Sequence, residues 1–314
     1  MIQEDKIIKA LQSKATGEFI GDDAAVLPST NTSNRYVISK DLLIEDVHFR
    51  TKYFTPEDLA HKSLHVNISD IAAMGAKPLY ILCGISIPSY LQDYGSRFLN
   101  SLTDACQSVE VTLIGGDTTA SRDRLFISIT AIGTIPEAHI KYRNGAKTGD
   151  LICIIGNLGF AHLGFLSLEQ SQIAASQYIN SFLRPEAKLK EGIWLGKQHA
   201  VNSMMDISDG LYIDLKRLAS SSTKHAVIDI NLLQNYLTPA ISLQIALEGG
   251  EDYGLLMTVH NNLFEDLSYR FMKKFGYHLK VVGYITDGHG LSFEQNGKPI
   301  EITINHFSHF GEQL

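Results

Sequence analysis

Asn67-Ile68-Ser69-Asp70-Ile71-Ala72-Ala73-Met74-Gly75-Ala76-Lys77-Pro78 sets a carboxamide and a carboxylate three residues apart and then runs into small residues. At helical spacing Asn67 and Asp70 share one face, with Met74 one turn further on. Ala72, Ala73, Gly75 and Ala76 carry almost no bulk, so another backbone or a ligand can come close. Taken alone, the stretch reads best as a short helix over 71–74 capped by Ser69 or Asp70. What changes this is the recurrence of Asp-bearing turns at Asp22-Asp23, Asp41, Asp117 and the pair Asp206 and Asp209. One such Asp is a turn former or a cap; five turns, several tied to glycine, point to a shared task. Carboxylates are hard oxygen ligands suited to Mg²⁺ or Ca²⁺. The twelve His are scattered and the three Cys lie apart among apolar neighbours, so a soft-metal site has no support. With no EF-hand loop in the chain, Mg²⁺ is the better choice, and in a cytoplasmic enzyme it usually comes with phosphates.

Outward from that stretch, Thr55-Pro56-Glu57-Asp58 predicts the start of a helix that delivers the chain to Asn67, with a capping Thr, Pro at the first position and acids in the first turn. Ile7, Ile8 and Leu11 predict a short amphipathic helix, and Tyr36–Asp41 a strand. Leu79–Ile87 predicts a strand, Phe98, Leu102 and Cys106 the buried face of a helix, Val111–Ile114 a strand ending in Gly115-Gly116-Asp117-Thr118-Thr119, and Leu125–Gly133 another strand. Adjacent strands with few helices between them predict an N-terminal α+β domain over 1–138, with a largely antiparallel sheet. The polar segment Tyr142–Asp150 is a junction. Over 139–314, strands at Leu151–Ile155, Met204–Ile207, Ala226–Ile230, Tyr253–Val259 and Leu279–Ile285 alternate with helices, which predicts a C-terminal α/β domain.

Composition narrows the function. The 314 residues, 44% hydrophobic and 19% charged, suit two domains with their own cores. A net charge of −7 argues against a nucleic-acid surface, and a phosphate-bearing substrate would need metal ions or local Arg and Lys. Neither a signal-peptide start nor a run of ~18 apolar residues occurs, so a soluble, cytoplasmic protein without a membrane partner is expected. Gly115-Gly116-Asp117-Thr118 and Gly249-Gly250-Glu251-Asp252 let backbone amides approach a phosphate, and each is equally a tight β-turn. Neither matches a P-loop or a dinucleotide fingerprint. There is no nucleophile elbow and no Cys in an activating setting. His48, before Phe49, is a substrate contact or a structural histidine.

Together these segments resemble the thiamine-monophosphate kinase family, of the superfamily that includes aminoimidazole ribonucleotide synthetase. The resemblance runs through Gly21–Ala25, Ser39–Phe49, Asn67–Pro78, Leu113–Thr119, Arg143–Asp150, Asp206–Asp214, Gly249–Tyr253 and His306–Phe310. It implies ATP-dependent phosphorylation of thiamine monophosphate to thiamine diphosphate by direct in-line transfer. It implies Mg²⁺ held by Asp23, Ser39, Asp41, Asp70, Asp117, Asp206 and Asp209, with no side chain acting as acid or base. It places ATP near Gly116, Asp117, Arg143 and Ser208, and the thiamine moiety near His48, Glu251 and Phe307. It also implies a homodimer in which the N-terminal sheets of two subunits join into a barrel, with the active site in a cleft between domains. The chain departs from the family pattern at Lys40 (usually Thr), Asp46 (usually Gly), Glu248 (usually small or uncharged) and Gly254 (commonly Glu). The alternatives are another ATP-using member of the superfamily and a non-catalytic nucleotide- or Mg²⁺-binding protein on the same scaffold.

Overall fold

The computed structural model describes residue 19 and residues 21–28, 33–170 and 175–304. The helix expected around Ile7–Leu11 and the His306–Phe310 segment, with Phe307, lie outside the described residues.

The N-terminal half is β1 (Ala25–Leu27), β2 (Asn34–Ile44), α1 (Pro56–Ala73), β3 (Lys77–Pro88), α2 (Gln92–Ser108), β4 (Thr112–Ser121) and β5 (Phe126–Pro136). Its sheet has the order β1-β2-β5-β3-β4, antiparallel throughout except for the parallel pair β3–β4. Period-two alternation sends Val37, Leu43, Ile127, Ile129 and Ala131 to the buried face. The opposite face carries Tyr36, Lys40 and Leu42.

Helix α1 covers the buried face. Thr55 caps it by accepting from the Asp58 backbone N–H at 3.1 Å, with Pro56 at the first position, as the sequence predicts. The helix runs unbroken through Asn67–Asp70 to Ala73, so the capped short helix over 71–74 does not form. It is buried on almost every side because it packs on β2, β3 and β5 and also against the C-terminal half. The small residues admit backbone, not ligand: a Cβ on Gly192 would sit 2.3 Å from the Ala72 carbonyl oxygen, and one on Gly75 2.9 Å from the Gly196 Cα.

The expected turn at Gly115–Thr119 is instead the middle of β4. An extra residue, Ile114, bulges where the register passes from Ile81↔Leu113 to Leu82↔Gly115, and pairing then continues to Ser121. Glycine is needed inside this strand, since a Cβ on Gly116 would lie 1.7 Å from the Cys83 carbonyl oxygen.

The C-terminal half holds β6 (Leu151–Ile155), α3 (Phe160–Glu169), α4 (Ser176–Leu183), α5 (Leu189–Gly196), β7 (Val201–Ile207), α6 (Leu211–Ser221), β8 (His225–Asp229), α7 (Ile230–Gln234), α8 (Leu243–Glu248), β9 (Gly254–Val259), α9 (Phe264–Phe275), β10 (Lys280–Thr286), β11 (Gly290–Gln295) and β12 (Lys298–Ile300). The sheet order is β12-β11-β8-β10-β6-β9-β7, and only β11–β8 is parallel. The α/β expectation is thus corrected. Helices do alternate with strands, but they connect strands that are not parallel neighbours, and β6 and β7 flank β9. The molecule is a two-domain α+β fold with mixed sheets. Among the described residues the first sheet is open, not a closed barrel, and no helix is long and apolar enough to cross a membrane.

Candidate active site

Three elements bring carboxylates together where α1 meets the C-terminal half, Asp23 and Asp206 buried and Asp70 half-buried. Asp70 comes from α1, Asp206 from β7 and Asp23 from the turn before β1, with carboxylate oxygens all within 4.8 Å of one another. Ser69, beside Asp70, donates to Asp206 Oδ2 at 2.7 Å. Arg143 opens a short 3₁₀ turn and donates to both oxygens of Asp23, at 2.8 and 3.3 Å, while its backbone N–H binds Asp22 Oδ1 at 2.7 Å. Burial opposes the Arg143 charge, yet Asp23, Asp206 and Asp214 together hold its pKa above the ordinary value. Burial pushes Asp70 and Asp206 well above the carboxylate range; Asp41 and Asp206 add to this for Asp70, and Asp23 for Asp206. Burial and then Asp209 raise Asp41 to about 6. One guanidinium faces several enclosed acids. This oxygen-only donor set with surplus negative charge fits a hard divalent cation.

A frame of hydrogen bonds holds these acids. Asn67 Nδ2 donates to the Ser63 carbonyl at 2.9 Å, its Oδ1 accepts from the Asp41 backbone N–H at 3.2 Å, and its own carbonyl accepts from Ser39 Oγ at 3.3 Å. Asn67 therefore clips β2 to α1 and places Ser39 and Asp41 beside Asp70. The Ser208–Asp209 turn hangs on Asp214, whose Oδ2 accepts both backbone N–H groups at 3.0 Å. Asp214 is fully enclosed, and burial, then Asp209, pushes it up to about 8. Arg217 pairs with Asp209 and reaches Asp214 at 3.4 Å.

The loop after α8 closes the site. The Glu251 backbone N–H donates to the Ser208 carbonyl at 2.7 Å, and that of Tyr253 to Ile207 at 2.8 Å. Asp252 accepts from the N–H groups of Gly159 and Ala161 at the start of α3, at 2.5 and 3.2 Å. Glu251 Oε1 lies 2.8 Å from Lys62 Nζ on α1.

Of the residues expected from sequence, Asp23, Asp70 and Asp206 form the cluster, Ser39 and Asp41 adjoin it, and Ser208, Asp209 and Glu251 line one loop pair beside it. Arg143 is there too, with its charge turned onto Asp23. Asp117 is not in the cluster; it is exposed on β4 with Gly116, in register with Gly84. His48 Nδ1 accepts from the Ile44 backbone N–H at 3.0 Å, closing the turn after β2. In that turn Asp46 takes φ 65°, a left-handed conformation that accounts for glycine being usual there. Lys40 points away from Ser39 and Asp41, onto Ser128 and Thr130. Sequence reasoning missed Ser69, Asp214, Arg217 and Lys62. The run Asp206, Asp209, Asp214 was a signal for Asp214; nothing in the sequence marks Lys62.

His61, His65 and Glu186 form a second group of ligating atoms. The two rings stack 4.1 Å apart with planes 19° from parallel, so a metal in the plane of one ring lies off the plane of the other. His61 Nε2 lies 3.0 Å from the Pro185 carbonyl and His65 Nδ1 accepts from the Ala187 N–H at 3.2 Å; the pair pins this turn to α1.

The chain matches the AIR synthase related protein N-terminal domain over residues 21–135 and the corresponding C-terminal domain over 147–296. Thiamine-monophosphate kinase of Buchnera aphidicola subsp. Schizaphis graminum is 35% identical over 97% of both chains, and that of Escherichia coli K12 34% identical over 93% of this chain and 91% of its own. A solved structure, AaThiL complexed with AMPPCP and TMP, superposes with a TM-score of 0.79 at 28% identity, covering 98% of this chain and 96% of that one. The chain belongs to the thiamine-monophosphate kinase family of AIR synthase related proteins.

Proposed function

We infer that this chain uses ATP to phosphorylate thiamine monophosphate to thiamine diphosphate in thiamine biosynthesis, in the cytoplasm and with Mg²⁺. The observation that carries this is the Asp23–Asp70–Asp206 cluster at the seam of the fold in a member of this family. The structural relative that holds an ATP analogue and TMP supports both substrates.

The acceptor is a phosphate monoester with a second pKa of ~6, largely dianionic at neutral pH, so no general base is required. The task is to bring two anions into line. Asp23, Asp70 and Asp206, with Asp41, Asp209 and Ser39 beside them, would hold Mg²⁺, and Asp117 is assigned to it from the family pattern. When bound, the cation supplies charge neutralisation on the phosphates. Arg143, donating to both oxygens of Asp23, holds that carboxylate in place. Ser208 and Arg143 are assigned to the nucleotide, as are Gly116 and Asp117 from the family pattern; His48, Glu251 and Phe307 are assigned to the thiamine moiety. We assign residues 1–138 and 139–314 to the two domains, and a homodimer that joins the open first sheets of two chains into a barrel.

Phosphorus NMR of the protein with ATP, Mg²⁺ and thiamine monophosphate tests this. Thiamine diphosphate is expected, with a loss of roughly a hundredfold or more in Asp70→Asn. Absence of product with the wild-type chain overturns the assignment. An undiminished rate in the variant removes Asp70 from the metal set.

A further inference from the structure

Lys62 is enclosed to an extent unusual for lysine. Its side chain is 1% exposed, its ammonium lies 4.2 Å from the ring centre of Phe182 and 5.4 Å from that of Phe54, and it donates to the Phe182 carbonyl at 3.3 Å. The one carboxylate in contact with it among the described residues is Glu251, at 2.8 Å. Packing does not demand an ammonium here, since a Met would fill an aromatic cage of this kind. Stripping an ammonium of water is costly unless a partner charge is held in good geometry. The charge is explained by Glu251.

Glu251 has matching features. Its backbone takes φ 67°, a left-handed conformation that is strained for a non-glycine residue. Its N–H is tied to Ser208, in the turn that also bears Asp209. Its side chain is 31% exposed, whereas Lys62 is sealed. The pair therefore spans the two halves of the molecule, anchored in α1 and open at the carboxylate end.

We propose that Lys62 is a positioning residue for the acceptor substrate: through Glu251 it fixes a carboxylate that receives the cationic, amine-bearing ring system of thiamine monophosphate, without touching substrate itself. This rests on the kinase assignment.

Steady-state kinetics of wild type, Lys62→Met, Glu251→Gln and the double variant test the proposal. Product formation by the wild-type chain settles the kinase assignment first; without it, that assignment and this inference fall together. With it, Lys62→Met is expected to raise the KM for thiamine monophosphate roughly tenfold or more and leave the KM for ATP within about twofold. Added to Glu251→Gln, Lys62→Met should change the KM for thiamine monophosphate less than about twofold, because both act through one carboxylate. Equal rises in both KM values, an unchanged KM for thiamine monophosphate, or effects that multiply in the double variant would overturn the proposal while the kinase assignment stands. Should Lys62→Met not fold, the double variant, which leaves neither charge without its partner, is compared with Glu251→Gln alone and decides by the same criterion.

Discussion

Asp70 and Asp206 are acids that the fold makes reluctant to ionise, and that reluctance has a measurable sign. Both are raised well above the ordinary value of 3.8 by burial and neighbouring acids, and Asp41 is raised from 3.8 to about 6. The folded chain therefore binds protons at these sites more tightly than the unfolded chain. For Asp41 the contribution to stability is complete below 3.8 and is lost as pH rises through about 6, and those of Asp70 and Asp206 fall in the same direction. A cation takes only the ionised carboxylates, so Mg²⁺ binding should expel protons and tighten as pH rises through this range. Calorimetry of Mg²⁺ binding near the Asp41 value, in two buffers of different ionisation heat, should show proton release, and Asp70→Asn should reduce it. Buffer-independent heats would mean that these acids are already ionised before the metal arrives. The acids were legible in the sequence because the chemistry demands their residue type. Lys62 was not: lysine in a helix ordinarily reads as a solvated side chain, and only tertiary packing shows Phe54 and Phe182 closing over it.

At the scale of elements, α1 is the part both halves share, and its small residues set how near they come. Gly192 on α5 lies against the Ala72 carbonyl, and an added methyl would fall 2.3 Å from that oxygen, against backbone that cannot rotate away. Gly192→Ala should push α5 off α1 and destabilise the fold by about 2–3 kcal/mol, read as a lower urea midpoint. An unchanged midpoint would show that α5 is free to shift. The start of α1 was legible from Thr55-Pro56, and small residues after Asp70 announced a close approach without saying to what. Elsewhere local chemistry misled. Gly115-Gly116 has the composition of a turn, yet a parallel neighbour makes it strand, and a partner from distant sequence is invisible to local pattern. The hairpin β11–β12 was legible and went unread. Asn296-Gly297 joins Gln295 and Lys298, which pair, and both loop residues take the positive φ of a two-residue hairpin turn, 54° and 69°.

Among the described residues, one face of the first sheet is without cover. Helix α1 seals the inner face, while Tyr36 and Leu42 of β2, Tyr80 of β3 and Phe126 of β5 remain exposed on the outer one, Leu42 at 56%. The register places them on a single surface, with Leu42 opposite Ser128 and Tyr80 opposite Ile132. Lys40, in their midst, is laid along the sheet onto Ser128 and Thr130 and does not project from it. Large apolar side chains gathered on one sheet face are costly to leave in water, and a second copy of the same sheet is the self-complementary way to cover them. β4, which carries Gly116 and Asp117, lies at the edge of this sheet, so pairing would also enclose residues that stand exposed in the single chain. Sedimentation velocity should find a dimer for the wild-type chain. Leu42→Glu, which sets a carboxylate in that face, should give a folded monomer with an unchanged circular-dichroism spectrum and a raised KM for ATP. A monomeric wild type, or a variant that still dimerises with unaltered ATP affinity, would assign the exposed face to something other than a second copy.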